Sequence, residues 1–98
     1  MARLDVYATA RGRYVLDVQA SLLDHLHTRV VVPLIAVAEA PPRIRELNPL
    51  FEIDGNPHVM VTQALATMPR NELRRPVQSL DAHHDEITRA LDILLMGF

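Results

Sequence analysis

The chain has no cysteine, no tryptophan and only three glycines among its 98 residues. Without cysteine it has neither a disulfide framework nor thiolate ligands for a metal. Three isolated glycines leave no glycine-rich loop to cradle a phosphate. Aromatic residues make up 4% of the chain against 49% hydrophobic ones, so the core must be aliphatic. The longest apolar run, Val30 to Ala38, is nine residues long, less than half of the roughly 20 that cross a bilayer as a helix. Neither that run nor the start, Met1-Ala2-Arg3-Leu4-Asp5, provides a membrane span or a signal peptide, and a cytoplasmic protein is expected. Ten basic residues stand against twelve acidic ones, a net charge of −2. Phosphate backbones need clustered positive charge, so direct nucleic-acid binding by this chain is not expected. A chain this short forms one domain, and it buries only about 60–65% of its unfolded surface, which favours pairing with a second copy.

What is present reads first as short strands. Arg3 to Ala8 alternates Leu4, Val6 and Ala8 against Arg3, Asp5 and Tyr7, the period of a half-buried strand. Arg13 to Gln19 repeats the pattern, with Tyr14, Leu16 and Val18 on one face and Asp17 on the other, and Thr9 to Gly12 supplies the turn between them. Arg29 to Ile35 contains Val30-Val31-Val32 and fits a central strand. Pro33 within it has no N–H to donate, which places that end at an edge or a bulge. Leu50 to Ile53 and His58 to Thr62 flank Asp54-Gly55, a strong hairpin signal because glycine accepts positive φ. Prolines at 69 and 76 break the next segment and leave room for a brief strand near Glu72 to Arg74.

The period then becomes helical. Leu80, Ile87, Leu91, Leu94 and Phe98 fall on one stripe, with Asp85, Arg89, Asp92 and Met96 opposite. Asp81 is the expected N-cap and Gly97 the expected terminator. The chain therefore reads as a single domain over residues 1–98, a small curved antiparallel β barrel over about 1–78 closed by a C-terminal helix over about 81–96. Its end is unusual. A free terminus normally frays and is polar, yet the last nine residues hold one charge and finish on Met96-Gly97-Phe98. Such a tail is either docked or inserted into something else.

Few residues suggest chemistry. His25 and His27 share a segment, and His83 and His84 are adjacent, about 100° apart on a helix and so poorly placed to chelate one ion. No third ligand stands at zinc spacing, and surface histidines are the simpler reading. Ser21 and Ser79 sit in no nucleophile elbow. No metal, cofactor or catalytic residue is expected. Arg70, Arg74 and Arg75 form a small basic cluster near Glu72, read first as a solvated loop and second as an acceptor for an acidic partner segment. Leu22-Leu23 is an apolar pair followed by Asp24, and burial of at least one of the two is the default.

At this point an ordered set of residues resembles a known family. Leu16-Asp17-Val18-Gln19, then Leu22-Leu23-Asp24, Arg29, the β-branched run Val30-Val31-Val32 and Pro33-Leu34 are similar to the corresponding block of the CcdB toxins. The resemblance continues through Val6-Tyr7, Asp54-Gly55, Thr67-Met68-Pro69, Pro76-Val77, Ser79-Leu80 and the terminal helix, and so spans essentially the whole chain.

The resemblance implies a homodimeric SH3-like barrel with a C-terminal helix, which is not an enzyme. Such toxins insert their paired helix ends into the A-subunit dimer of DNA gyrase and trap it on cleaved DNA. A cognate antitoxin with a disordered tail removes them, and the pair represses its own operon through the antitoxin's DNA-binding domain. Carried over residue by residue, the gyrase-binding set is Leu22, Leu23, Asp92, Met96, Gly97 and Phe98. Two positions depart from the family. Met96 stands where the best-known member has a tryptophan that stacks on a gyrase arginine, a contact worth about 1–2 kcal/mol when desolvated. Asp92 stands where asparagine is frequent and adds a negative charge. The alternative is a CcdB-like module that retains antitoxin binding and co-repression but no longer kills.

Overall fold

A computed structural model describes residues 2–97 as a seven-stranded antiparallel sheet with one C-terminal helix. The strands are β1 (Asp5–Thr9), β2 (Tyr14–Asp17), β3 (Thr28–Ala36), β4 (Leu50–Ile53), β5 (Asn56–Met60), β6 (Ala66–Pro69) and β7 (Leu73–Ser79). The helix α1 spans His84–Met96. The sheet runs β4-β5-β3-β2-β1-β7, with β6 paired to the first half of β3. It curls into a half-barrel, and the gap between its two edge strands is crossed by one side chain. Gln78 on β7 donates through Nε2 to the Glu52 carbonyl of β4 (3.0 Å) and accepts at Oε1 from the Asp54 N–H (3.3 Å).

β1 and β2 are buried on both faces, not half-buried as their alternation predicts, and alternation decides which of two clusters each side chain joins. Val6, Leu16, Val32, Ile53 and Met60 point inward and meet Ile87 and Ala90 of α1, all of them fully or nearly fully enclosed. Tyr7, Val15, Val31 and Leu73 form a second cluster on the other face. Asp54 and Gly55 both take positive φ (54° and 82°) between β4 and β5, the pair of left-handed residues that a tight right-twisted hairpin needs.

Pro33 lies inside β3 and paired with Val15, away from any terminal edge. On its other side β3 changes neighbour from β6, which ends its pairing at Val31, to β5, which begins at Leu34. The Pro33 carbonyl points to that side and accepts from the Val61 N–H (3.0 Å). The missing donor therefore falls at the break between two partners, a local edge within a central strand. The brief strand near Glu72 is in fact the seven-residue β7. It runs through Pro76 because Pro76 sits opposite Tyr7 at a register shift on an edge strand, where a lost N–H costs no ladder bond. β6, which carries Thr67-Met68-Pro69, was not anticipated as a strand.

The helix differs in one detail. Asp81 does not cap it. Residues Asp81–His83 form a separate 3-10 turn, and α1 begins at His84 with no side-chain cap. Leu80, Ile87 and Leu91 are buried as the stripe predicts, and Leu94 is half-buried. Asp85, Arg89, Asp92 and Met96 are exposed on the opposite side. Among the described residues, no helix is long and apolar enough to cross a membrane.

Candidate partner-binding site

The last fully buried residue of α1 is Leu91, and in the final turn Ile93 and Leu94 are half-buried while Leu95 and Met96 face outward. Met96 is 64% exposed and Leu95 67% exposed. Gly97 closes the helix in the left-handed region (φ 84°), its N–H shared at 3.1 Å between the carbonyls of Asp92 and Ile93. An added Cβ there meets no neighbour, so glycine is required by the backbone angle alone. Asp92 lines a shallow cleft beside Glu46, Asp85, Thr88, Arg89 and Ile93. Phe98 lies outside the described residues.

Leu22 and Leu23 belong to a 3-10 turn, Ser21–Leu23, that leads into β3. Neither is buried, contrary to the default for such a pair: Leu22 is 85% exposed and Leu23 41%. In a strand one of the two would have faced the core, but the tight turn leaves the sheet and takes both with it. The structure thus brings Asp92, Met96 and Gly97 together on one helix end and sets Leu22 and Leu23 on a separate exposed turn.

Beneath that turn lies a polar group that strand alternation does not reveal. Asp17 and Arg29 are both fully enclosed, with Arg29 Nη2 and Nε donating to Asp17 Oδ2 at 2.6 and 3.0 Å. Arg29 Nη1 reaches Asp24 Oδ1 in the turn (3.0 Å). Burial pushes the Asp17 carboxyl above its ordinary value, outweighing the Gln19 N–H and Arg29, which act to lower it. Burial also pulls the Arg29 guanidinium down, but its hydrogen bonds to Asp24 and Asp17 prevail and hold it above its ordinary value. The arginine therefore stays charged, and burial opposes the charged form of both partners. Alternation alone put Asp17 on the solvent side. The overlooked signal was a carboxylate within a strand, where aspartate is depleted, together with an arginine heading a β-branched run.

The basic cluster separates. Arg70 turns towards the residues after Leu23, donating to the carbonyls of Asp24 (2.9 Å) and Leu26 (3.5 Å). Arg74 and Arg75 stay exposed on β7. His83 and His84 each face one carboxylate at 3.4 Å, Glu86 and Asp85 respectively, while His25 and His27 are exposed. Among the described residues no three potential ligands converge on one point. A groove of about 840 Å³ lies against β2 and β3 beside Arg11, Arg13, Tyr14, His58 and Glu72, and none of the anticipated site residues line it.

Leu95 is the exposed apolar side chain that periodicity concealed. It follows Ile87 and Leu91 at intervals of four, which would place it in the core. It is exposed because each four-residue step overshoots a turn by about 40°, which carries Leu95 about 80° round the helix from Ile87, to the margin of the buried stripe.

Comparison with known proteins now bears on this geometry. The family model described as CcdB protein matches residues 3–97.

The chain belongs to the CcdB family.

The family is one of toxin–antitoxin toxins, and this chain is of that kind. Among solved structures, the fold is similar to an "Endoribonuclease from Mycobacterial species" at a TM-score of 0.78 and 19% identity, covering 98% of this chain and 91% of that one. It is similar to the "Mycobacterium tuberculosis toxin MazF-mt6" at 0.78 and 18%, covering 96% and 97%. A third similar structure is an "Endoribonuclease in complex with its cognate antitoxin from Mycobacterial species", at 0.78 and 19%, covering 98% and 95%. At these identities the likeness is one of fold.

Proposed function

We propose that this CcdB-family protein is the toxin of a toxin–antitoxin pair, that it acts as a homodimer on the A-subunit dimer of DNA gyrase, and that it holds the enzyme on cleaved DNA. The observation that carries this reading is the last turn of α1, where Leu95 and Met96 are adjacent, apolar and about two-thirds exposed. Large apolar groups at a solvent-exposed chain end are costly unless a partner covers them. Leu22 and Leu23 supply a second apolar contact, with Asp92 at the rim and Gly97 fixing the direction of the tail. A cognate antitoxin neutralises the toxin by covering part of this surface, and operon repression follows from the antitoxin's DNA-binding domain.

RNA cleavage is the competing reading, because the similar folds are named endoribonucleases. Cutting RNA needs a cation able to reach a phosphate. Arg11 and Arg13 beside the β2–β3 groove are cations of that kind, whereas Arg29 is bound to Asp17 and Asp24. The net charge of −2 favours a protein target over RNA, and the experiment below separates the two readings.

The deciding experiment is induction of the chain in a gyrase-sensitive bacterium, with cleaved chromosomal DNA and total RNA followed together. The expected outcome is growth arrest with accumulated cleaved DNA and intact RNA, abolished when Gly97 and Phe98 are deleted without unfolding the domain. RNA fragmentation without DNA cleavage would establish the competing reading. Normal growth with soluble, antitoxin-binding protein would establish the non-toxic module.

A further inference from the structure

The segment that presents Leu22 and Leu23 has little apolar anchorage. From Ala20 to Thr28 no side chain is fully buried: Asp24 is half-buried, and Leu23 and Leu26 remain 41% and 37% exposed. Nine residues with so few buried apolar contacts ordinarily sample many conformations. This segment is instead fastened from beneath at three points. Gln19, itself buried, donates through Nε2 to the Leu23 carbonyl (3.0 Å) while its Oε1 accepts from the Val30 N–H (3.0 Å). Arg29 Nη1 donates to Asp24 Oδ1. Arg70 holds the Asp24 carbonyl through Nη1 and the His27 carbonyl through its backbone N–H (2.8 Å).

Arg29 is the centre of this arrangement. Its guanidinium is fixed within the domain by Asp17, whose other oxygen accepts from the Gln19 N–H (3.0 Å). A buried ion pair contributes little net stability, because desolvation offsets attraction. Stability alone therefore gives no reason for an enclosed arginine here. The third hydrogen bond, directed outward to Asp24, does give one. We infer that Arg29 is a positioning residue: clamped between Asp17 inside the domain and Asp24 in the turn, it holds Leu22 and Leu23 in one conformation ready for a protein partner. A turn ordered before contact spares the complex the entropy of ordering it afterwards. The identity of the partner rests on the gyrase reading; the clamp itself does not.

The test variant is Asp24→Ala. The Asp24 side chain is 41% exposed, so water can reach the vacated Arg29 Nη1, and the Arg29–Asp17 pair remains. The expected result is a thermal midpoint within about 2 °C of wild type, about one-third of a kcal/mol for a domain this size. Amide exchange at Leu23, Asp24 and Leu26 should become about tenfold faster, and affinity for the gyrase A-subunit dimer about fivefold to tenfold lower by calorimetry. Asp24→Asn keeps an acceptor for Arg29 and should restore both readouts. Unchanged exchange in Asp24→Ala overturns the inference, as do unchanged affinity despite faster exchange and failure of Asp24→Asn to restore either. A midpoint that collapses in Asp24→Ala also overturns it, by making the role purely structural. Wild-type protein that ignores gyrase refutes the partner assignment, and the exchange measurements then decide the clamp on their own.

Discussion

Replacing Leu95 by alanine separates a binding surface from a core more sharply than any other single change. Leu→Ala removes the equivalent of three carbon groups, at about 0.8 kcal/mol each when fully transferred from water. Leu95 is 67% exposed in the free chain, so about two-thirds of that remains to be gained on binding, roughly 1.5 kcal/mol or about tenfold in affinity. The same exposure means that the fold loses only the remaining third, about 0.8 kcal/mol. Ile87→Ala is the control with the opposite signature. Ile87 is fully enclosed, and its truncation should cost about 2–5 kcal/mol of stability through lost transfer energy and a cavity. Calorimetric titration against the gyrase A-subunit dimer and chemical denaturation, run on both variants, give the four numbers required. A Leu95→Ala protein that binds as tightly as wild type refutes the proposal that the helix end inserts into a partner. A concentration-dependent loss of stability in that variant would instead assign Leu95 to a contact between two copies of the chain.

Two further predictions test neighbouring steps. Met96→Trp supplies a flat ring to a partner cation and adds apolar area, so gyrase affinity should rise by about tenfold; unchanged or weaker binding in the same titration means that this end contacts something else. The raised Asp17 pKa predicts a sign in the pH dependence of stability. A carboxyl that titrates above its unfolded value of 3.8 contributes stability that is fully present below 3.8 and is lost as pH rises through the folded value. The stability deficit of Asp17→Asn relative to wild type should therefore be largest in acid and shrink towards neutrality, followed by denaturant titrations across that range. A deficit that grows with pH would mean that attraction to Arg29, and not burial, governs the carboxyl.

Local residue chemistry decided much of this protein in advance. Two-residue alternation set β1 and β2, Asp54-Gly55 between apolar runs set the β4–β5 hairpin, and the stripe of Leu80, Ile87 and Leu91 set the buried face of α1. The order of residues across the chain carried the family; the candidate set it implies, Leu22, Leu23, Asp92, Met96, Gly97 and Phe98, is a proposal for the experiments above. These features depend on neighbours close in sequence, so periodicity can report them. Tertiary structure alone decided the rest. Whether Leu95 is core or surface depends on how wide a strip of α1 the sheet covers, and no helical repeat contains that width. Whether Asp17 faces water depends on Arg29, twelve residues away, folding over it. Whether Pro33 breaks a strand depends on β6 giving way to β5 at that residue. Each is settled by segments remote in the chain meeting in space, and so each had to wait for the fold.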